Sequence, residues 1–376
     1  MRTPGLLILL LIALLPLGGC YYMQAASGHL ALMRAAEPID RVLADPGIDT
    51  ELTRALEQAQ AIRRFAVETL GLPDNASYTR YADLGREAVV WNVVAVPEFS
   101  LAPKIWCFPV AGCLSYRGYF SEQRARRHAT RLAAEGYHVQ VGQVAAYSTL
   151  GRFADPLLNT MVSRGETYLA GIIFHELAHQ QLYIADDTRF NEAYATAVEE
   201  HGTRLWLTHT GQAAALADYE RLLARRGVLD ALLERQRERL AALYASGLSA
   251  EEMRQAEAEA FQQLRLDYAE QRADWVEGPT FDGFFARPLN NAHLLAVATY
   301  RDLVPAFHRL IALSADMPDF HARAAELGAL APEARHAALA ALLEGDLRLA
   351  ACRGAQIAQA SALGVAAQVA GCDGLQ

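Results

Sequence analysis

The chain has 376 residues, 52% of them hydrophobic and 20% charged, with a formal net charge of -9. This composition excludes a disordered or fibrous protein and suits one large or two ordinary globular domains. The acidic balance, with no basic stripe in the sequence to offset it, argues against nucleic acid or an anionic membrane surface as a partner.

The chain opens on a targeting signal. Arg2 is followed by the apolar run LLILLLIALL, Leu6 to Leu15, and then by LGGC, Leu17 to Cys20. That apolar core is short for a membrane span and fits a secretory signal, so residues 1–19 are expected to be removed. Small residues directly before a cysteine resemble a bacterial lipobox, which implies that Cys20 becomes a lipidated N-terminus. The expected location is the bacterial membrane, by a lipid anchor, facing the periplasm (the outer membrane in a Gram-negative cell). Apart from Cys20, the cysteines are Cys107, Cys113, Cys352 and Cys372. An oxidising compartment would pair this even set, and of three connectivities the local pairs Cys107–Cys113 and Cys352–Cys372 each close a short loop.

From Gly28 to Leu70 apolar residues recur at helical spacing, predicting two helices broken near Asp45, Pro46 and Gly47 and stopped by Gly71, Leu72 and Pro73. Ala88 to Phe99 is apolar and β-branched, and Tyr137 to Ser148 partly alternates; these predict paired strands of a small sheet. Between them runs a helix that Ser121 would cap and Gly136 would end. Helices are predicted from about Gly165 to Tyr183 and from Phe190 to about Leu207. Residues 212–275 read as a helical hairpin, whose turn offers Ser249 and Glu252 as a capping box. A further helix starts near Asn290, and the C-terminus is Ala-rich and helical. With no clean linker, the expectation is one predominantly helical α+β domain over residues 20–376, with the hairpin as an extension.

The densest chemistry lies in FHELAHQQLYIADDTRFNEAYATAVEEHG, Phe174 to Gly202. On a helix, His175 and His179 project from one face and can grip one Zn2+. Glu176 is offset from the first by about 100°, which keeps its carboxylate near the metal's open position as a base rather than a ligand. A third protein ligand would leave one tetrahedral position for water. No histidine follows at metzincin spacing, which points to a carboxylate: Glu192, Glu199 or Glu200. The structural alternative is a buried helix whose histidines only hydrogen-bond to neighbours.

The segment NEAYATAVE, Asn191 to Glu199, and HELAHQ before it resemble the corresponding segments of aminopeptidase N-like gluzincins. The resemblance implies Glu192 as the third ligand, although the connection from His179 is shorter than in that family; by spacing alone Glu199 stays open. Over most of the chain after Cys20 the sequence also resembles bacterial lipoproteins described as predicted aminopeptidases. Trp106 to Phe120, Ala146 to Leu158 and Asn290 to Phe307 carry that likeness. A zincin-like metallopeptidase core is what these resemblances imply.

The chemistry expected is hydrolysis of a peptide or protein substrate, aminopeptidase action being slightly favoured over endopeptidase action. Glu176 would take a proton from water and deliver it to the leaving amine. Tyr300 is the first candidate for stabilising the developing oxyanion, with Tyr147 and His293 behind it. Thr196, Asp186 and Asp187 are candidate partners for the second nitrogens of the ligand histidines; His201 and His209 read as surface or packing residues. The strand VQVGQVAAYS, with Gly142, would present an edge to an extended substrate. Two other readings are a noncatalytic envelope-assembly or binding lipoprotein with a structural zinc, and a zinc hydrolase of a non-peptide amide. The sequence assigns no oligomeric state.

Overall fold

The structure is a computed structural model that describes residues 19–108, 112–298 and 302–343. It is mostly helical with small sheets. Among the described residues the first helix, α1 (Gly19–Ala35), leads through the short strand β1 (Glu37–Pro38) and one helical turn to α2 (Thr50–Glu68). A break falls at Asp45 to Gly47 as expected, but the first of the two predicted helices is itself interrupted by β1. Asp49 caps α2 by accepting from the backbone N–H groups of Glu51 and Leu52, which have no partner inside the helix.

The strands β2 (Arg80–Ala82), β3 (Val90–Pro97), β4 (Trp106–Phe108), β5 (Gly112–Leu114) and β6 (Tyr116–Tyr119) follow. Then come α3 (Glu122–Ala134), β7 (Tyr137–Val144) and β8 (Leu157–Leu158). The two strands predicted to pair do so antiparallel along their whole length, from Val90 opposite Val144 to Pro97 opposite Tyr137. In the sheet order β6-β3-β7, the last strand lies at an edge. Cys107 stands opposite Cys113 in the β4–β5 hairpin and forms a disulfide with it; Cys352 and Cys372 lie outside the described residues.

The helical part comprises α4 (Glu166–Gln181), α5 (Thr188–His209), α6 (Ala213–Tyr244), α7 (Ala250–Ala273), α8 (Asn291–Ala298), α9 (Val304–Leu313), α10 (Met317–Gly328) and α11 (Pro332–Leu343). The predicted hairpin is α6–α7, with both bonds of the Ser249–Glu252 capping box in place. It has its own apolar cluster, including Leu233, Leu240, Phe261 and Leu264. The single helix expected from Asn290 is instead two: α8 is described to Ala298, and after a turn at residues 302–303 α9 begins at Val304 with a proline in its first turn, where the missing N–H costs no helical bond. No helix of the described residues is long and apolar enough to cross a membrane.

The main core gathers apolar residues from α2, α4, α5 and α9 to α11. α4 is apolar almost all round, with Leu169, Ile173, Phe174 and Leu177 fully or nearly fully buried. Such a helix belongs inside a core, not on its surface. Its histidines are therefore held by packed neighbours rather than by a mobile loop.

Candidate metal centre

α4 and α5, joined by the short loop 182–187, bring His175, His179 and Glu192 together. One ligand atom from each lies within 4.8 Å of the others. The two Nε2 atoms are 3.1 Å apart, and Glu192 carboxylate oxygens stand 3.5 Å from that of His175 and 3.7 Å from that of His179. Among the described residues this is the cluster of histidine, cysteine and acidic side chains that could hold a metal ion.

Asn191 explains how so short a connection reaches the site. Its side-chain oxygen accepts from the Ile184 N–H and its amide donates to the Ile184 carbonyl, both at 2.7 Å. This two-point clasp folds the loop back onto the first turn of α5, directly before Glu192. Asp187 caps the same helix by accepting from the Phe190 N–H, and it forms an ion pair with Arg335 of α11. Farther along, the buried Tyr194 hydroxyl meets His321 Nδ1 at 2.7 Å, and the other ring nitrogen donates to the Leu70 carbonyl.

Glu199 occupies a different position from Glu192. Its carboxylate is 3.0 Å from His175 Nδ1, the nitrogen turned away from the cluster. Gly171, one turn before His175, makes room for it: a Cβ there would lie 3.3 Å from Glu199 Cγ. The oxygen partner expected for a ligand histidine is thus Glu199, not Thr196, Asp186 or Asp187. His179 Nδ1 is buried and meets no partner among the described residues. Glu200, the other candidate, is 2.7 Å from His308 Nε2, outside the cluster.

Burial disfavours charge on His175, but Glu192 and Glu199 outweigh that effect and hold its pKa well above the ordinary value. Burial also presses on Glu192, where the two histidines more than offset it and keep the carboxyl low. His179, buried beside a cationic neighbour and only partly compensated by Glu192, is depressed to about 4. Glu176 is lifted to about 7, chiefly by burial and also by the Glu192 charge, against the pull of His175 and a hydrogen bond from Ser148.

Ser148 lies four residues beyond the end of β7, so the chain leaving the edge strand leads toward the site. Beneath it, Asp155 accepts from the Thr149 N–H at 3.0 Å and from its hydroxyl at 2.7 Å. Gln180, next to His179, reaches Asn75 at 2.7 Å and Asp155 at 3.4 Å. This ties the 75–78 loop to the end of α4. Nearby, Gly112 of the disulfide hairpin sits so close to the 182–187 loop that a Cβ on it would be 2.9 Å from Asp186 Oδ1.

Of the other sequence candidates, Tyr147 packs on Phe120 and His29 and senses Asp155. His293 is engaged with Asn290 at 2.9 Å and is not part of the cluster. Tyr300 lies outside the described residues. His209 packs on Phe65 and Trp206, and burial lowers the His201 pKa; neither joins the cluster. Two tyrosines escaped the sequence reading. Tyr183, 41% exposed, meets the His179 ring edge-on at 6.4 Å between centroids. Tyr78 is fully buried with φ of 62°, and burial, Glu176 and Asp155 raise its hydroxyl pKa well above normal. The left-handed backbone of Tyr78 is costly for a bulky residue and has no signature in sequence pattern; Tyr183 lies four residues after His179, a spacing that could have found it.

A buried helix pair thus brings two imidazoles and one carboxylate together, with a second carboxyl beside them, in an arrangement that could hold a metal ion. The chain belongs to the family described as "Putative aminopeptidase", whose model matches residues 20–339. That membership makes it a peptidase at the coarse level. No curated protein and no solved structure matches it.

Proposed function

We propose that the protein is a zinc-dependent peptidase of gluzincin type with a zincin-like core, acting as an aminopeptidase. The observation that carries this reading is the convergence of two Nε2 atoms and the Glu192 carboxylate, with Glu176 raised to about 7 beside them. Ligands about 2.0–2.1 Å from a tetrahedral zinc stand roughly 3.3 Å from one another. The separations of 3.1, 3.5 and 3.7 Å fit that spacing with His175, His179 and Glu192 as ligands. The pairing of Glu199 with His175 Nδ1 supports it as the orienting carboxylate.

Bound zinc would supply Lewis acidity toward the scissile carbonyl and the attacking water. Glu176 takes the water proton and returns it to the leaving amine. Ser148 orients the Glu176 carboxyl through its hydrogen bond. Asn290 Nδ2 donates to the Val139 carbonyl of the edge strand. The length of β7 beyond it, toward Ser148, is the edge proposed to pair with an extended peptide. Tyr183 and Tyr300 are the hydroxyls proposed to meet the oxyanion. Cys20 is proposed as the lipid-anchored residue of the exported protein, and Cys352–Cys372 as a second disulfide.

The test is a mixed peptide library presented to the wild-type protein and to Glu176→Gln. The expected result is loss of single N-terminal residues by wild type and a fall in kcat of about 10²–10⁴-fold in the variant. Internal cuts would reject aminopeptidase action, and zinc binding without any Glu176-dependent cleavage would favour a noncatalytic lipoprotein with a structural zinc.

A further inference from the structure

α1, β6 and α3 enclose a groove of about 930 Å³ lined by none of the metal-cluster residues. Its walls carry Arg117, Arg124, Arg127 and Arg131, and no carboxylate is among the lining residues. In a chain of net charge -9, four unopposed guanidinium groups around one groove need an explanation. Arg124, Arg127 and Arg131 recur at i, i+3 and i+7 on α3, a basic helix face, and Arg117 joins them from β6.

Two lining side chains hold buried donors with no acceptor among the described residues: Arg117 Nε and His128 Nε2. His128 is 7% exposed, and its Nδ1 lies 2.8 Å from an Arg131 guanidinium nitrogen. Since a guanidinium only donates, His128 Nδ1 is the acceptor and the proton of the neutral ring sits on Nε2. Burial, with Arg117, Arg131 and Lys104 adding to it, depresses the His128 pKa to about 4, so the ring is neutral at pH 7. Arg117 is held in place by stacking over Tyr21 at 4.0 Å. A buried donor left without an acceptor is unfavourable unless a ligand supplies one.

The α1 wall of the groove is apolar. It includes Met23 and Leu30, which are 66% and 50% exposed. A free inorganic anion would leave this wall unused, whereas a phosphate borne on an acyl chain satisfies both walls at once.

We propose that this groove binds the phosphate headgroup and proximal acyl chain of an anionic phospholipid. The arginine guanidinium groups hold the phosphate, and the exposed apolar residues of α1 meet the chain. The site is independent of the peptidase reading, and it lies along α1, the helix that contains Cys20, the residue proposed to carry the lipid anchor.

The full chain in non-ionic detergent is titrated with short-chain phosphatidylglycerol, with phosphatidylcholine of the same chain length, and with inorganic phosphate. Saturable binding of phosphatidylglycerol is expected, at least about tenfold tighter than either control. The double variant Arg124→Gln, Arg127→Gln, at two exposed positions, should weaken it about tenfold or more. Arg126→Gln should leave it unchanged, because Arg126 pairs with Glu122 and does not line the groove. Equal binding of the two lipids, equal binding of inorganic phosphate, or an equal loss with Arg126→Gln would each overturn the proposal.

Discussion

The metal cluster and the arginine groove gather charge in opposite ways. In the cluster, carboxylates balance imidazoles: Glu192 faces the Nε2 atoms and Glu199 takes the far nitrogen of His175. In the groove the cations are left unbalanced, and burial, with Arg117, Arg131 and Lys104 adding to it, keeps His128 neutral. A balanced site can hold its own geometry in the core, and the addition of one cation suits it. An unbalanced site at the surface awaits a counter-charge. The difference teaches that net charge constrains the average surface and says little about where charge is concentrated.

The comparison can be broken first at Glu176, where the loss of activity proposed above is the largest effect expected, with metal binding retained. Next comes Glu199. As an orienting group outside the cluster, its change to Gln should weaken metal affinity about 10–100-fold without abolishing binding. Titration against a competing chelator measures this, and complete loss of metal would make Glu199 a ligand. The groove variants should leave that affinity untouched.

A smaller effect is expected at Asp187, which braces the helix carrying both carboxylates. Burial alone would raise its pKa, but the Phe190 N–H, Arg335 and His336 outweigh that and hold it below the ordinary value. A depressed carboxyl contributes stability that is present above its unfolded pKa and lost as pH falls through the folded one. Asp187→Asn should therefore lower stability by about 1–2 kcal/mol at neutral pH, with the difference from wild type shrinking below about pH 4. Urea unfolding at several pH values checks it, and a difference that grows toward acid would contradict the assignment.

What was legible in sequence was local. The HELAH spacing, the Ser249–Glu252 box and the β3–β7 pairing are written within short windows, and each element formed close to its expected bounds. The acidic pair Asp186 and Asp187 misled: one side chain is turned to a helix cap and to Arg335, far along the chain. Glu199 could be named as a candidate, but whether it faces Nε2 or Nδ1 depends on the closeness of α4 and α5 that Gly171 permits. The groove was hidden only in part: Arg124, Arg127 and Arg131 share a helix face whose spacing the sequence shows, whereas Arg117 and the α1 wall join them only when β6 and α1 pack beside α3.

The most direct measurement is zinc content per chain by mass spectrometry for wild type, Glu176→Gln and Glu192→Ala, purified alike. The account predicts one zinc per chain in the first two and loss in the third, since Glu192 is proposed to complete a three-residue site and Glu176 to act only on protons. Full zinc occupancy in Glu192→Ala, or its loss in Glu176→Gln, would contradict that division of roles.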